Sequence, residues 1–166
     1  MSAWQATLDY AAGCGAEVDQ VSDSAIVITA AGTHRLRIPV LLAVGPRYLR
    51  VQSFVARKPD ESHEAVYRWL LEQNARLIGV AFSVDSFGDI YLTGGLPAEA
   101  VTENSLDLLV GIVVATSDAS FNTLLELGFR SAIEREWQWR TSRGLNADNL
   151  AAFEHLRPTI DGQTLA

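Results

Sequence analysis

The pentapeptide His63-Glu64-Ala65-Val66-Tyr67 comes within one residue of a zinc-hydrolase motif. That motif needs a second histidine four residues on, so that two imidazoles leave one helical face together and hold the metal. Tyr67 stands in that place, and the segment reads instead as a helix turn with Tyr67 directed inward. His34 and His155 are isolated in sequence and complete no ligand spacing. Asp85 and Asp89 flank Gly88, so a divalent ion would fit between their carboxylates. The alternating ligands of a calcium loop are missing, however, and Asp-Ser-Phe-Gly-Asp is what a hairpin turn requires. Thr93-Gly94-Gly95-Leu96-Pro97 lies between a strand and a helix, yet it lacks both the Gly-Lys-Ser/Thr ending and the GxGxxG spacing of phosphate-binding loops. A close backbone approach or a bulge accounts for its two glycines. No Gly-x-Ser-x-Gly element occurs. The expectation is a chain with no catalytic residue, no metal and no cofactor.

Two groups of residues have the chemistry of binding. Arg35, Arg37 and Arg50 alternate with the apolar positions of the central strands, and Tyr48, Gln52 and Phe54 share their orientation. Such a basic and aromatic sheet face suits a carboxylate-rich peptide, and it equally suits an ordinary solvated face with cross-strand contacts. In Ile133-Glu134-Arg135-Glu136-Trp137-Gln138-Trp139-Arg140 two tryptophans stand two residues apart, so on a helix they take different faces. One is expected in the core. The other, with Arg140 one turn beyond Trp137, is a candidate contact for an acidic partner, since Trp and Arg are favoured interface anchors.

The elements that carry these residues follow from periodicity. Ser2 and Gln5 open a first helix with Trp4, Leu8, Ala11 and Ala12 on one stripe. Period two then takes over at Ile26 and Ile28, at Leu36 to Leu42 and at Leu49 to Val55, giving three strands turned at Gly32 and Gly45-Pro46. Asp60 is placed to cap a second helix that directs Val66, Tyr67, Leu70 and Leu71 inward. A hairpin follows over Leu77–Thr93. Thr102 caps a long helix on which Leu106, Leu109, Val110, Val113, Phe121, Leu124 and Leu125 form the apolar stripe, with Gly128 ending or kinking it. Further helical stretches are expected over Ile133–Arg140 and Asn149–Leu156. The order helix, three strands, helix, two strands, long helix predicts an α+β fold with one antiparallel sheet of five strands flanked by helices. Residues 1–157 are expected to form one domain and 158–166 a polar tail.

Composition narrows the function classes. With 166 residues and 48% hydrophobic content, the chain is long and apolar enough for one folded domain. A net charge of −7 disfavours nucleic acid and anionic lipid as partners. Cys14 is the single cysteine, which points to a reducing compartment and a buried apolar role for that thiol. Met1-Ser2-Ala3-Trp4-Gln5 has neither a basic region nor an apolar one, and Leu108–Ala115 is far short of the ~20 residues that cross a bilayer. A cytoplasmic protein without a membrane segment is expected.

The run Tyr67-Arg68-Trp69-Leu70-Leu71-Glu72-Gln73-Asn74, the strand Gly79-Val80-Ala81-Phe82 with Asp85 and Gly88-Asp89, and Asp118-Ala119-Ser120-Phe121 with Leu124-Leu125-Glu126-Leu127-Gly128-Phe129 resemble the YbjN family. Arg135-Glu136-Trp137-Gln138-Trp139-Arg140 extends the resemblance, which reaches from the first helix to about Leu156. Members of that family are described as bacterial sensory transduction regulators. The resemblance implies a fold similar to the type III secretion chaperones, small acidic proteins that are usually dimeric and bind extended segments of other proteins. It carries over no catalytic residue. On this reading the protein is a non-enzymatic binding module, chaperone-like or regulatory, that acts as a homodimer and binds another protein or peptide. A small-ligand sensor with an apolar pocket between sheet and long helix is the alternative. Leu108, Ile112 and Ala115, outside the main stripe of the long helix, offer a face for the twin subunit.

Overall fold

A computed structural model describes residues 2–160 and 163–164, with side chains described for residues 2–158. Helix α1 (Ala3–Gly13) starts at Ser2, whose hydroxyl accepts from the Gln5 N–H at 3.1 Å. Strands β1 (Glu17–Ser22), β2 (Ala25–Ala30), β3 (Ile38–Val44) and β4 (Tyr48–Ala56) follow, then α2 (His63–Asn74). Strands β5 (Val80–Val84) and β6 (Ile90–Pro97) lead into α3 (Glu103–Ser142) and a 3₁₀ segment over Asp148–Leu156. Of the tail expected over 158–166, residues 161–162 and 165–166 lie outside the described residues; Thr159–Ile160 pairs with Gln163–Thr164.

The sheet is antiparallel in the order β1-β2-β3-β4-β6-β5. It has six strands rather than five. The additional one, β1, is an edge strand exposed at every residue, so no apolar period marks it in the sequence. Leu36, expected to open the second of three strands, the observed β3, lies instead in the preceding loop and is 80% exposed. Ile26, Ile28, Val40, Leu42, Val51, Val55, Ile90 and Leu92 form one apolar face, packed with Val66, Leu70, Leu106, Leu109 and Val113 from the helices.

Helix α2 starts later than its pattern implies. Ser62, at φ 54°, precedes the first helical residue, and Asp60 binds Arg57 at 2.6 and 2.8 Å instead of capping. That pairing holds the Asp60 carboxyl below its ordinary pKa. Leu71, read as inward, is exposed beyond the buried Val66 and Leu70. The apolar stretch of α3 is long enough, by length and composition, to cross a membrane; here Leu106, Leu109, Val110, Val113 and Leu124 of its stripe enter the core, while Phe121 and Leu125, expected with them, stay half-buried outside it.

Thr102 and Ser105 cap α3 reciprocally, as Thr102 accepts from the Ser105 N–H at 3.1 Å and the Ser105 hydroxyl accepts from the Thr102 N–H at 2.8 Å. The helix is broken at Phe129 (φ −141°, ψ 20°). Pro59 packs so closely on Gly128 that a Cβ there would lie 3.0 Å from it. The freed Gly128 carbonyl accepts from the Asp60 and Glu61 N–H groups at 2.9 and 3.2 Å. Glu61 in turn accepts from the Ser131 N–H at 2.7 Å, capping the helix where it resumes. Beyond the kink, Ile133 and Trp137 build a second apolar cluster with Leu150, Phe153 and Leu156.

The loop between β2 and β3 is tied to α3 by one carboxylate. Asp118 accepts from the His34 and Arg35 N–H groups at 2.8 and 2.9 Å and faces His34 Nδ1 at 3.3 Å. Burial pushes the Asp118 carboxyl up, but the hydrogen bonds outweigh it and hold it below the ordinary carboxylate range. A pKa depressed on folding contributes stability above the unfolded value of about 3.9 and loses it as pH falls through the folded value. Asp118→Asn is therefore expected to lower the urea midpoint at pH 7 and to flatten its decline below about pH 4. Parallel midpoint curves for variant and wild type from pH 7 to 3 would assign the acid sensitivity to other groups.

Candidate protein-binding surface

All three helices pack into the same apolar core, so the opposite face of the sheet is left uncovered. Across it the register sets Val27 beside Leu41, Leu41 beside Gln52, Ala43 beside Arg50 and Phe54 beside Tyr91. Tyr48 and Arg50 are exposed, and Phe54 meets Tyr91 edge-on with ring centroids 5.5 Å apart. Among the described residues Arg50 has no ion-pair partner, so this apolar strip can take the side chains of an extended segment and pair one of its carboxylates.

Of the three arginines expected on this face, Arg50 is the one on it. Arg37 lies just before β3 and pairs with Glu17 of the edge strand at 2.9 Å. Arg35 also precedes β3. Its guanidinium turns toward α3, donating to the Phe54 carbonyl and, at 3.1 Å, to the Ser117 hydroxyl. Burial lowers its pKa. The alternation failed because Arg35 and Arg37 belong to a loop held by Asp118, where period two has no meaning.

The two tryptophans separate as their spacing requires. Trp137 is 3% exposed and donates through Nε1 to the Phe153 carbonyl at 3.1 Å, while Trp139 is 45% exposed. Arg140 was expected to reach an acidic partner. Instead its Nε donates to Glu136 at 2.6 Å and its Nη1 to the Asn146 carbonyl at 2.6 Å, closing the end of α3. Arg143, not singled out from the sequence, stacks on the Trp139 ring at 5.3 Å. Its position four residues after Trp139 was the available signal. Trp139 and Arg143 thus form a second exposed patch at the end of the helix.

The remaining chemical candidates serve the fold. Asp85 accepts from the Phe87 and Asp89 N–H groups at 2.9 Å each, and Asp89 accepts from the Lys58 N–H at 2.8 Å. His63 leans on the Tyr67 ring at 6.2 Å, and His155 meets Glu126 at 3.1 Å. Among the described residues no three His, Cys, Asp or Glu side chains converge as metal ligands. Cys14 is half-buried at the end of α1, its thiol donating to the Ala11 carbonyl at 3.3 Å.

A sheet covered on one face, with the order and connections seen here, defines a class. The fold is that of the type III secretion chaperones. It matches the ExoU–SpcU complex of Pseudomonas aeruginosa with a TM-score of 0.54 at 14% identity, over 73% of this chain and 96% of that one. It matches the ExsC–ExsE complex with a TM-score of 0.53 at 15% identity, over 70% and 88%. The chain belongs to the YbjN family, described as "Putative bacterial sensory transduction regulator", whose model matches residues 3–126. The match ends just before the kink at Phe129, so the Arg135–Arg140 run lies beyond it. Relatives include "Uncharacterized protein Rv0487" of Mycobacterium tuberculosis, 52% identical over 81% of this chain and 74% of that protein. "Uncharacterized protein ML2442" of Mycobacterium leprae is 47% identical over 79% and 71%.

Proposed function

We propose that this protein is a non-enzymatic cytoplasmic binding module, chaperone-like or regulatory, which works as a homodimer and holds an extended segment of another protein. The uncovered sheet face carries this reading: Leu41, Phe54 and Tyr91 present apolar surface beside the free cation of Arg50. The solved relatives in fold are complexes with protein partners, which supports the reading. Trp139 with Arg143 is a second anchor. The twin subunit docks on α3 through Leu108, 61% exposed, with Gly111, Ile112 and Ala115 continuing the same stripe.

Light scattering is expected to give twice the chain mass for wild type and one chain mass for Leu108→Glu. A wild-type monomer at micromolar concentration and above would remove the dimer. For the partner, affinity capture with mass spectrometry is run on wild type, Arg50→Glu and Trp139→Ala. A partner retained by wild type and lost by Arg50→Glu, with an unchanged thermal midpoint, is expected. Undiminished capture by both folded variants would remove both surfaces as docking sites.

A further inference from the structure

Where α3 kinks, an open groove of about 500 Å³ runs between that helix and the end of β4. Phe54, Phe121, Leu125, Phe129 and Ala132 line it, with Arg35 and Arg57 at its margins. The two cations are not equivalent. Arg57 lies 4.3 Å over the Phe129 ring and is neutralised by the two hydrogen bonds to Asp60. Arg35 is half-buried between the rings of Phe54 and Phe121, each 5.7 Å away. Among the described residues no carboxylate lies within 4.0 Å of its guanidinium. Both hydrogen bonds of the Arg35 guanidinium leave from Nη1, and among the described residues its Nε and Nη2 are neither bonded nor sealed from solvent. Asp118 does not neutralise it, since its oxygens face the backbone N–H groups of the loop and His34.

A half-buried cation with free donors beside an apolar trough is complementary to a single anionic head on an apolar body. Only one charge is uncompensated, which favours a monoanion over a doubly charged phosphate. The volume falls in the range of roughly 300–1,000 Å³ typical of small-molecule sites. A peptide joining β4 as an added strand would need the Phe54 carbonyl, and Arg35 already occupies it. We propose that this groove binds a small amphiphilic carboxylate, its head on Arg35 and its apolar body against Phe121, Leu125 and Phe129. Phe54 borders both this groove and the uncovered sheet face, but Arg50, Trp139 and Leu108 lie outside the groove, so the variants that test the partner-binding and dimer readings leave its other lining residues intact.

The test is titration with sodium decanoate below its micelle threshold, followed by calorimetry and by methyl NMR of Leu125 and Ala132, with decanol and acetate as comparators. Saturable decanoate binding with shifts confined to the groove is expected, with decanol weaker and acetate silent. Arg35→Gln is expected to weaken decanoate about tenfold or more while leaving decanol unchanged. Ala132→Trp, which fills the trough without touching the bonds of Arg35, is expected to abolish both. If Arg35→Gln fails to fold, the wild-type preference for decanoate over decanol and the effect of Ala132→Trp decide. Equal affinity for decanoate and decanol, shifts on the outer sheet face, or unaltered binding in Ala132→Trp would overturn the proposal. An acidic amphipathic peptide that saturates the groove shifts while decanoate produces none would overturn it in favour of a peptide site.

Discussion

Trp137→Ala is expected to release the C-terminal segment while leaving the sheet folded. The indole is buried in a cluster made only of Ile133, Leu150, Phe153, Leu156 and their immediate neighbours, separate from the main core. Its Nε1–H bond to the Phe153 carbonyl fastens the 3₁₀ segment directly, and Arg157 lies over the ring at 5.2 Å. Removing a buried tryptophan side chain costs about 3–5 kcal/mol, as lost burial plus the cavity left behind. The loss falls on the small cluster, so it should appear as fast hydrogen exchange over Asp148–Leu156 and early tryptic cleavage after Arg143. Strands β3 and β4 should keep their protection. Trp139→Ala is the control: its ring is 45% exposed and, among the described residues, stacks on Arg140 and Arg143, worth at most about 1 kcal/mol. Equal effects of the two substitutions would contradict the division of labour between them.

The second large effect is expected at Gly94, in the middle of β6 and paired with both Val51 and Val80. A Cβ built there would lie 2.2 Å from the Gly79 carbonyl oxygen and 2.9 Å from a Val80 methyl. The nearest atom is backbone and cannot rotate away. Gly94→Val would have to push β5 off the sheet, and a loss of more than about 3 kcal/mol is expected, beyond the range of simple overpacking. Urea unfolding measures it. An unchanged midpoint would mean that the edge strand yields freely and that the approach has no structural importance. A Cβ on Gly95 would likewise lie 2.4 Å from the Leu49 carbonyl oxygen, so both glycines serve a close approach of neighbouring backbones.

These expectations also mark how far the chain could be read unaided. Alternation along Ile26–Ile28, Val40–Leu42 and Leu49–Val55 named the inner face of the sheet correctly, because burial on one side leaves a period-two record in apolar residues. The Thr102 cap and the kink at Gly128 were legible for local reasons: a hydroxyl that serves the first turn, and a residue without Cβ in a long apolar helix. Strand β1 left no such record, since Glu17–Ser22 buries nothing and its only determinant is a hydrogen-bonding edge offered by β2.

The proposed binding residues divide in the same way. Helical geometry alone required Trp137 and Trp139 to part, but not which one would enter the core; Leu150, Phe153 and Leu156, folding back from beyond the helix, chose Trp137. Nor did any local pattern reveal that Arg35 would leave the sheet face for the groove beside Phe121. That was decided by Asp118, 83 residues away, which gathers the loop's N–H groups and turns the guanidinium toward α3. The sequence by itself determined five of the six strands of the main sheet, its inner face and the family, because those are written in local periodicity and short motifs. Only the tertiary structure decided which charges are spent within the molecule and which remain for a partner, because an ion pair between distant residues has no local signature.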